Sequence, residues 1–536
     1  MSGSCGGRGR ARHEGTTGRR ERRRTGPLAA VVPVVAIVTA SCASAAPRFE
    51  DASASLPSPH VYAGGWEHFV GGGVAVLDCN ADALPDLFVA GGENRARLFV
   101  NVTTDELRFR EADVPELTGV TGAYPLDLDA DGILDLAVLR AGPNVMLKGD
   151  GACGFADRGD ALGIAAGNAW TTAFSATWEP GAALPTLAFG NYVDRDDPDG
   201  PFGTCDANVL IHPAGARFGA PEALEPGFCA LSMLFSDGAR GRTGLRISND
   251  RHYYVRGGHE QMWDLVERRF LTEGDGWQRV SLWGMGIASR DLTGDGLPEV
   301  MLTSMGDQLL QIAQPDGTYA AAPYEIGTYA QRPFVGDDGR PSTGWHAQFG
   351  DVDNDGRADL FIAKGNVDQM PGLAMEDPNN LLMQGADGRF SEAADVAGVA
   401  STARARGAAL ADLDLDGRLD LVVVNRRAPM EIWRNVTADA GNAVTIEPRQ
   451  PGANHFAVGA WVELRKGDEV QRQEVTVGGG HAGGVAGPLH FGIGSAGTAE
   501  IRVIWPNGSA APWSPVAAGD SVIATRNAEG IGIEAR

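Results

Sequence analysis

Residues 351–366 read DVDNDGRADLFIAKGN. Four carboxylates, Asp351, Asp353, Asp355 and Asp359, fall within nine residues and run straight into an apolar, β-type segment. In an empty loop these charges repel one another, and a hard cation among them removes the conflict. Calcium is the natural candidate, because it accepts several carboxylate oxygens in flexible geometry. The glycine at the sixth place permits a tight turn that a side chain would obstruct.

The same pattern returns along the chain as DCNADALPDLFVAGG at Asp78, DLDADGILDLAVLR at Asp127, DLTGDGLPEVMLTS at Asp291 and DLDLDGRLDLVVVN at Asp412. Each copy has an oxygen-bearing side chain at the first, third, fifth and ninth places, usually a glycine at the sixth, and then a β-rich apolar run. An EF-hand would need flanking helices and a glutamate at the twelfth place. Here the flanks are DLFV, DLAV, EVML, DLFI and DLVV, which are strand formers. Ordinary solvated hairpin turns would account for any one copy but not for five in one register. Between Asp127 and Asp291 lie two further strand-like endings, LPTLAFGNYVD at Leu184 and GLRISNDRHYY at Gly244, whose acidic positions have decayed. In the second, Arg240 falls where an acidic ligand should be, and its guanidinium is expected to replace the cation by pairing with carboxylates or carbonyls. Seven units therefore start near 78, 127, 178, 236, 291, 351 and 412, a spacing on the scale of propeller repeats. The expected fold is all-β: a seven-bladed β-propeller over about 50–437, with an insertion around 194–230. Residues 438–536 read as a small C-terminal β domain, from the alternation in AWVELRKG, RQEVTV and AEIRVIWPNG. Its segment GGGHAGGVAGPLHFGIG, from Gly478, reads as flexible and close-turning.

Of 536 residues 74 are glycine, and Lys plus Arg total only 45 against 69 Asp plus Glu, a balance that favours turn-rich β structure. The net charge is −24, although residues 1–25 carry eight arginines against two glutamates, so the remainder is more acidic still. Such a body repels nucleic acid and attracts divalent cations. The basic RRERRR, the apolar PLAAVVPVVAIVTAS and the small-residue CASAA form an export signal. A cut near Ala45 would release a soluble periplasmic or extracellular protein; lipid attachment at Cys42 would anchor it to the envelope instead. Cys5 and Cys42 leave with the signal or become its anchor. Cys79, Cys153, Cys205 and Cys229 remain, an even number suited to an oxidising compartment, and Cys205 with Cys229 is the favoured pair because it closes a Gly/Pro-rich stretch.

The chain resembles exported bacterial proteins that join integrin-like FG-GAP repeats, also called VCBS repeats, to a C-terminal ASPIC/UnbV domain; animal cartilage acidic protein 1 has a related arrangement. The most specific matching words are GNYVDRDDPDG at Gly190, SNDRHYY at Ser248, WGMGIASRDLTGDGLPEVMLTSMGD at Trp283, STGWHAQFGDVDNDG at Ser342, AKGNVDQMPGLAMEDPNNLL at Ala363 and VGGGHAGGVAGPLHFGIG at Val477. The resemblance implies a calcium-stabilised propeller used for binding, with about five Ca2+ sites. Carried over residue by residue, the ligand sets are Asp127, Asp129, Asp131 and Asp135; Asp351, Asp353, Asp355 and Asp359; Asp412, Asp414, Asp416 and Asp420. Asp291, Thr293, Asp295 and Glu299 form a weaker set, and Asp78, Asn80, Asp82 and Asp86 keep the ligands although Ala83 replaces the glycine. The backbone carbonyls of Leu84, Ile133, Leu297, Arg357 and Arg418 would take the seventh positions.

The function expected is that of an exported binding or scaffold protein for a protein or glycan ligand, with assembly into an envelope complex as a further possibility. The alternative is a metal-dependent enzyme recruiting His252, His259, His346, His481 or His490 at a site built from insertion and blade-top residues. No HExxH, GxSxG or Ser/His/Asp arrangement supports it. The aromatics of RHYYVRGG and GHEQMWDL read either as a ligand-binding rim or as caps between blades.

Overall fold

The apolar runs after the five acidic loops form the strands Asp86–Val89, Asp135–Arg140, Glu299–Ser304, Asp359–Lys364 and Asp420–Asn425. Their residues are almost all buried, which is why they read as continuous apolar segments and not as alternating ones. Each is the second strand of a four-stranded antiparallel sheet. The computed structural model describes residues 46–165, 167–197, 203–238, 240–250, 257–329, 340–368 and 370–536. The N-terminal segment read as an export signal, with Cys5 and Cys42, lies outside them, as does His252. Among the described residues no helix is long and apolar enough to cross a membrane.

Ahead of the C-terminal domain the described residues hold seven such sheets, and each acidic loop joins the first strand of its sheet to the second. The first strands are Val74–Leu77, Val120–Leu126, Thr171–Thr177, Ala230–Ser236, Gly284–Arg290, Gly344–Gly350 and Ala405–Ala411. They contact one another in that order, and the last returns to the first, so the sheets close a propeller ring. Apolar faces are covered by neighbouring sheets; one core cluster joins Leu87 and Phe99 of the first sheet, Leu136 of the second and Val422 of the seventh. The seventh sheet takes its outer strand from the other end of the repeat region. Phe49–Asp51 pairs antiparallel with Glu431–Asn435, Phe49 opposite Asn435, and ties the two ends of the ring together.

Part of the stretch read as an insertion belongs to the regular fold. Asn208–Ile211 and Glu222–Leu224 are the two outer strands of the third sheet, so the added chain there narrows to the loop between Asn191 and Asn208. These strands are short and bounded by Gly and Pro, which hides them in the sequence. Disulfides link Cys205 to Cys229, the favoured pair, and Cys79 to Cys153, which fastens the first acidic loop to the outer turn of the second sheet. The C-terminal domain packs two four-stranded sheets around Val444, Phe491, Ile501 and Trp505. In one of them Asn442–Arg449 runs parallel to Ser521–Asn527.

Candidate metal centres and the inter-domain face

All five acidic loops share one internal hydrogen-bond plan. The first-place carboxylate accepts backbone N–H groups from further round its own loop: Asp82 and Ala83 donate to Asp78, Asp131 and Gly132 to Asp127, Gly294 and Gly296 to Asp291, Asp355 and Gly356 to Asp351, Asp416 and Gly417 to Asp412. The fifth-place carboxylate accepts the N–H of the seventh residue, Leu84, Ile133, Leu297, Arg357 or Arg418. The ninth-place group accepts the N–H of the second residue, and Asp86, Asp135, Asp359 and Asp420 also accept one from the third strand of the sheet. Glu299 accepts only the N–H of Leu292 among the described residues.

The backbone needed for this plan is left-handed at the fourth and sixth places of every loop. The sixth is Gly132, Gly296, Gly356 or Gly417 at φ between 84° and 100°, and Ala83 adopts φ 74° in the first loop. Left-handed alanine is strained by about 1–2 kcal/mol, more than the freedom a glycine adds to the unfolded chain. Ala83→Gly is therefore expected to raise stability by roughly 0.5–1 kcal/mol in denaturant titration; a loss would mean that the methyl group packs usefully.

The carboxylates converge. Oxygens of Asp127, Asp129 and Asp135 lie within 4.8 Å of one another, as do those of Asp351, Asp353 and Asp355 and those of Asp412, Asp414 and Asp420. In the first loop and the Asp291 loop no three Asp or Glu oxygens come this close among the described residues, since Asn80 and Thr293 hold the third place. Burial is the main influence on the ninth-place groups and drives Asp86, Asp135 and Glu299 up to about 7 against the pull of their N–H donors, with neighbouring carboxylates adding to the rise. Asp351 is pushed up to about 8 by burial and by Asp353. Asn80 Oδ1, Asp129 Oδ1, Asp414 Oδ1 and Glu299 Oε1 are buried and accept no hydrogen bond from the protein. Buried, unpaired oxygens of this kind are costly unless something else satisfies them.

Four loops also carry an ammonium or guanidinium partner that the sequence reading missed: Arg536 at Asp78, Arg357 at Asp355, and one basic residue from the third strand in each of the Asp127 and Asp412 loops. Lys148 Nζ lies 2.5 Å from both Asp129 and Asp131, and Arg434 lies 2.5 Å from Asp414 and 3.2 Å from Asp416. Both come from the third strand of their sheet, so the signal was a basic residue 13 or 14 places after the ninth ligand. The decayed loops hold no acidic cluster among the described residues. Arg240 donates to the backbone carbonyl of Asp275, 3.1 Å away, and not into its own loop; there Ser236 and the N–H of Asp237 bind Glu474 of the C-terminal domain instead.

Residues 450–530 match the family described as ASPIC and UnbV, and residues 78–138 and 291–362 match the FG-GAP-like repeat. The chain carries FG-GAP-like repeats and an ASPIC/UnbV domain. Among curated proteins no match was found. Solved structures similar to it include BBS1N in complex with ARL6DN, at 10% identity and TM-score 0.43, covering 72% of this chain and 96% of that one. Another is an Agrocybe aegerita lectin described as recognising non-reducing terminal N-acetylglucosamine, at 13% identity and TM-score 0.37, covering 67% and 93%.

The C-terminal domain touches every one of the five acidic loops. Arg536 reaches Asp78 at 3.2 Å and the carbonyl of Ala83 at 2.9 Å, and His455 Nδ1 lies 3.1 Å from Asp127. Arg472 packs over Gly296. The N–H groups of Gly441 and Gly494 donate to the carbonyls of Asp353 and Asn354, and His490 lies 3.2 Å from the carbonyl of Gly417.

The glycine-rich segment read as flexible instead runs into the ring axis, with His481, Ala482 and Gly483 buried at its tip. Val477, Gly478, Gly480, Gly483 and Val485 bridge to first strands of the third, fourth, fifth, second and first sheets. Only the axis lies within reach of all five. Close backbone approach explains the glycines: a Cβ on Gly483 would lie 2.2 Å from the carbonyl oxygen of Val74. At the tip, His481 Nε2 accepts the N–H of Gly71, Nδ1 faces the carbonyl of Met285, and the backbone N–H donates to His346 Nδ1. The ring packs on Trp345. His346, His481 and His490 are all buried, and the described groups of three or more ligating side chains lie elsewhere, in the acidic loops and around the Cys79–Cys153 disulfide. Trp263, from the GHEQMWDL word, packs against Phe270 inside the fourth sheet and caps its core.

Burial above all depresses His481 to about 3, and the nearby Arg406 and His346 add to the effect. An unfolded histidine, near 6.5, takes up its proton first, so the stability from neutral His481 is complete above about pH 6.5 and is lost as pH falls. Going from pH 7 to pH 5 is expected to cost about 2 kcal/mol through this residue alone. Urea titrations of the native chain and of His481→Asn should show a shallower pH slope in the variant; equal slopes would remove His481 as the cause.

Proposed function

We propose that this is an exported, calcium-stabilised binding or scaffold protein, in which bound calcium sets both the FG-GAP loops and the docking of the ASPIC/UnbV domain upon them. The observation that carries this reading is the repeated loop: five copies of one hydrogen-bond plan around buried carboxylates, with oxygens in four of them that no protein group satisfies. The first, third, fifth and ninth side chains would hold each ion, with the seventh residue of each loop adding its carbonyl. The ion supplies positive charge that offsets the mutual repulsion of its ligands and satisfies their oxygens. Calcium fits better than magnesium, whose tighter octahedral demand suits this ligand set poorly. The N-terminal signal supports export to the periplasm or beyond, where affinities of order 10⁻⁴ to 10⁻³ M are sufficient.

Elemental analysis of protein lacking residues 1–45, purified in calcium, tests this directly. About five calcium ions per chain are expected. Tightly held zinc, iron or copper that survives calcium removal would favour the enzyme reading instead.

The ligand, a protein or glycan, would use the face away from the loops, since the loop side is occupied by the ASPIC/UnbV domain. That face presents Trp66, 39% exposed, with its ring centroid 4.8 Å from that of buried Trp170. Aromatic side chains of this kind anchor many interfaces. In a screen of surface glycans and envelope proteins, Trp66→Ala should weaken binding of any true ligand while leaving thermal stability in place; unchanged binding would move the site elsewhere.

A further inference from the structure

Between the loop-side ends of the first strands and the C-terminal domain lies a cavity of about 580 Å³, wrapped around the glycine-rich segment. Its volume is in the range of small-molecule sites. Much of the wall is apolar, including Leu234, Ile287, Phe349 and Leu410. The charged side chains on the wall are engaged, with one exception. Arg449 and Arg536 hold Glu447, Arg472 holds Glu463, and Glu474 accepts from Ser236 and Asp237. Arg290, the last residue of its first strand, also lines the cavity, yet its guanidinium makes no hydrogen bond or ion pair among the described residues. Asp291 and Asp351 are its charged neighbours, and neither closes to an ion pair.

A guanidinium carries five N–H donors and is charged at every physiological pH. Deep in a protein, such a group is costly when it has no partner. His346, on the same cavity wall, is 4% exposed, and its Nδ1 accepts the N–H of His481. The neighbouring Gln348 is taken up by the backbone of Leu410 through both amide atoms.

We infer that the inter-domain cavity binds a small organic anion with an apolar body, its anionic group held by Arg290 and its body against the apolar wall. Arg290 supplies charge and a planar donor fork, which suits a carboxylate or sulfonate bound through two oxygens. The apolar walls exclude water and favour a chain or ring over an inorganic ion. The wall also carries Asp78, Asp127, Asp412 and Asp416 of the acidic loops, so the inference rests on the proposed calcium offsetting their charge; the test is made at saturating calcium with the full chain, and the ion count by elemental analysis separates a failure of the calcium reading from a failure of this one.

Isothermal titration calorimetry with octanoate and with neutral octanamide reads the charge requirement in the unmodified protein. Octanoate should bind at least tenfold more tightly. Arg290→Gln should erase that preference, and Arg290→Lys, which keeps the charge, should retain part of it. Equal binding of the two probes, or none of octanoate, by the unmodified protein would overturn the inference without any variant. A preference that survives in Arg290→Gln would overturn the role of Arg290. If that variant does not fold, a preference that is reduced in Arg290→Lys and unreduced in a surface-arginine control supports the same point, and an undiminished preference in Arg290→Lys overturns the role of Arg290.

Discussion

Chelation of the calcium-loaded protein is expected to lower its unfolding midpoint by roughly 10 °C and to release the C-terminal domain first. An ion that binds only the native loop contributes about 2.3 kcal/mol when calcium stands 50-fold above its Kd, and five loops together contribute on the order of 10 kcal/mol. At about 2 cal/mol/K of unfolding entropy per residue, a chain of this length shifts by roughly 1 °C for each kcal/mol. The order of events follows from the contacts: Asp78, Asp127, Gly296, Asp353, Asn354 and Gly417, one or more from each loop, face the ASPIC/UnbV domain. Loops that lose their ions therefore loosen the docking surface before they loosen the sheets. Calorimetry should show one transition in calcium and two after chelation, with magnesium restoring less than calcium does. Asp355→Ala should cost about 2 kcal/mol more in calcium than after chelation, one site's share; the part that persists without calcium is the lost N–H bond from Arg357. A midpoint that stays fixed from micromolar to millimolar calcium would count against metal in these loops.

A valine at Gly73 or Gly122 is expected to expel the glycine-rich segment from the ring axis. A Cβ on Gly73 would sit 1.7 Å from the carbonyl oxygen of Ala482, and one on Gly122 would sit 2.0 Å from the same atom. Real Cβ atoms do not approach backbone oxygens this closely, and neither backbone can retreat, because each is held in hydrogen bonds to the other: Ala123 N–H donates to Ala482, and Val76 N–H to Gly484. Overpacking of this severity is expected to cost more than about 4 kcal/mol, at the high end for single substitutions. What is lost is the docking of the C-terminal domain, so protease should cut near residue 440 in the variants and not in the parent. Gly487→Ala is the matched control, since its Cβ would meet nothing within 4 Å. Resistance to protease in Gly73→Val would show that the segment is dispensable for docking.

The acidic loops were legible because everything that defines them is local. Ligands, turn glycine and following strand fall within about a dozen residues, and the internal hydrogen bonds join residues two to seven places apart. Five repetitions then imposed a propeller, since a sheet with two apolar faces needs neighbours on both sides. The basic partners Lys148 and Arg434 were within reach of the same reasoning, but they lie on the third strand, outside the loop. The strand Phe49–Asp51 was not legible, because three residues carry too little pattern and its partner strand ends at Asn435. The glycine-rich segment misled for a physical reason: glycines permit both flexibility and close packing, and a residue without a side chain gives no sign of what it packs against.

From sequence alone, then, came the acidic loops, the all-β repeat architecture and the smaller β domain behind them. Tertiary structure decided how the ring closes, that His481 is the buried tip of the plug, and where Arg290 faces. Those outcomes depend on contacts such as Gly71 to His481, 410 residues apart. At such distances no local propensity constrains the pairing, and only the packed ring brings the two groups together.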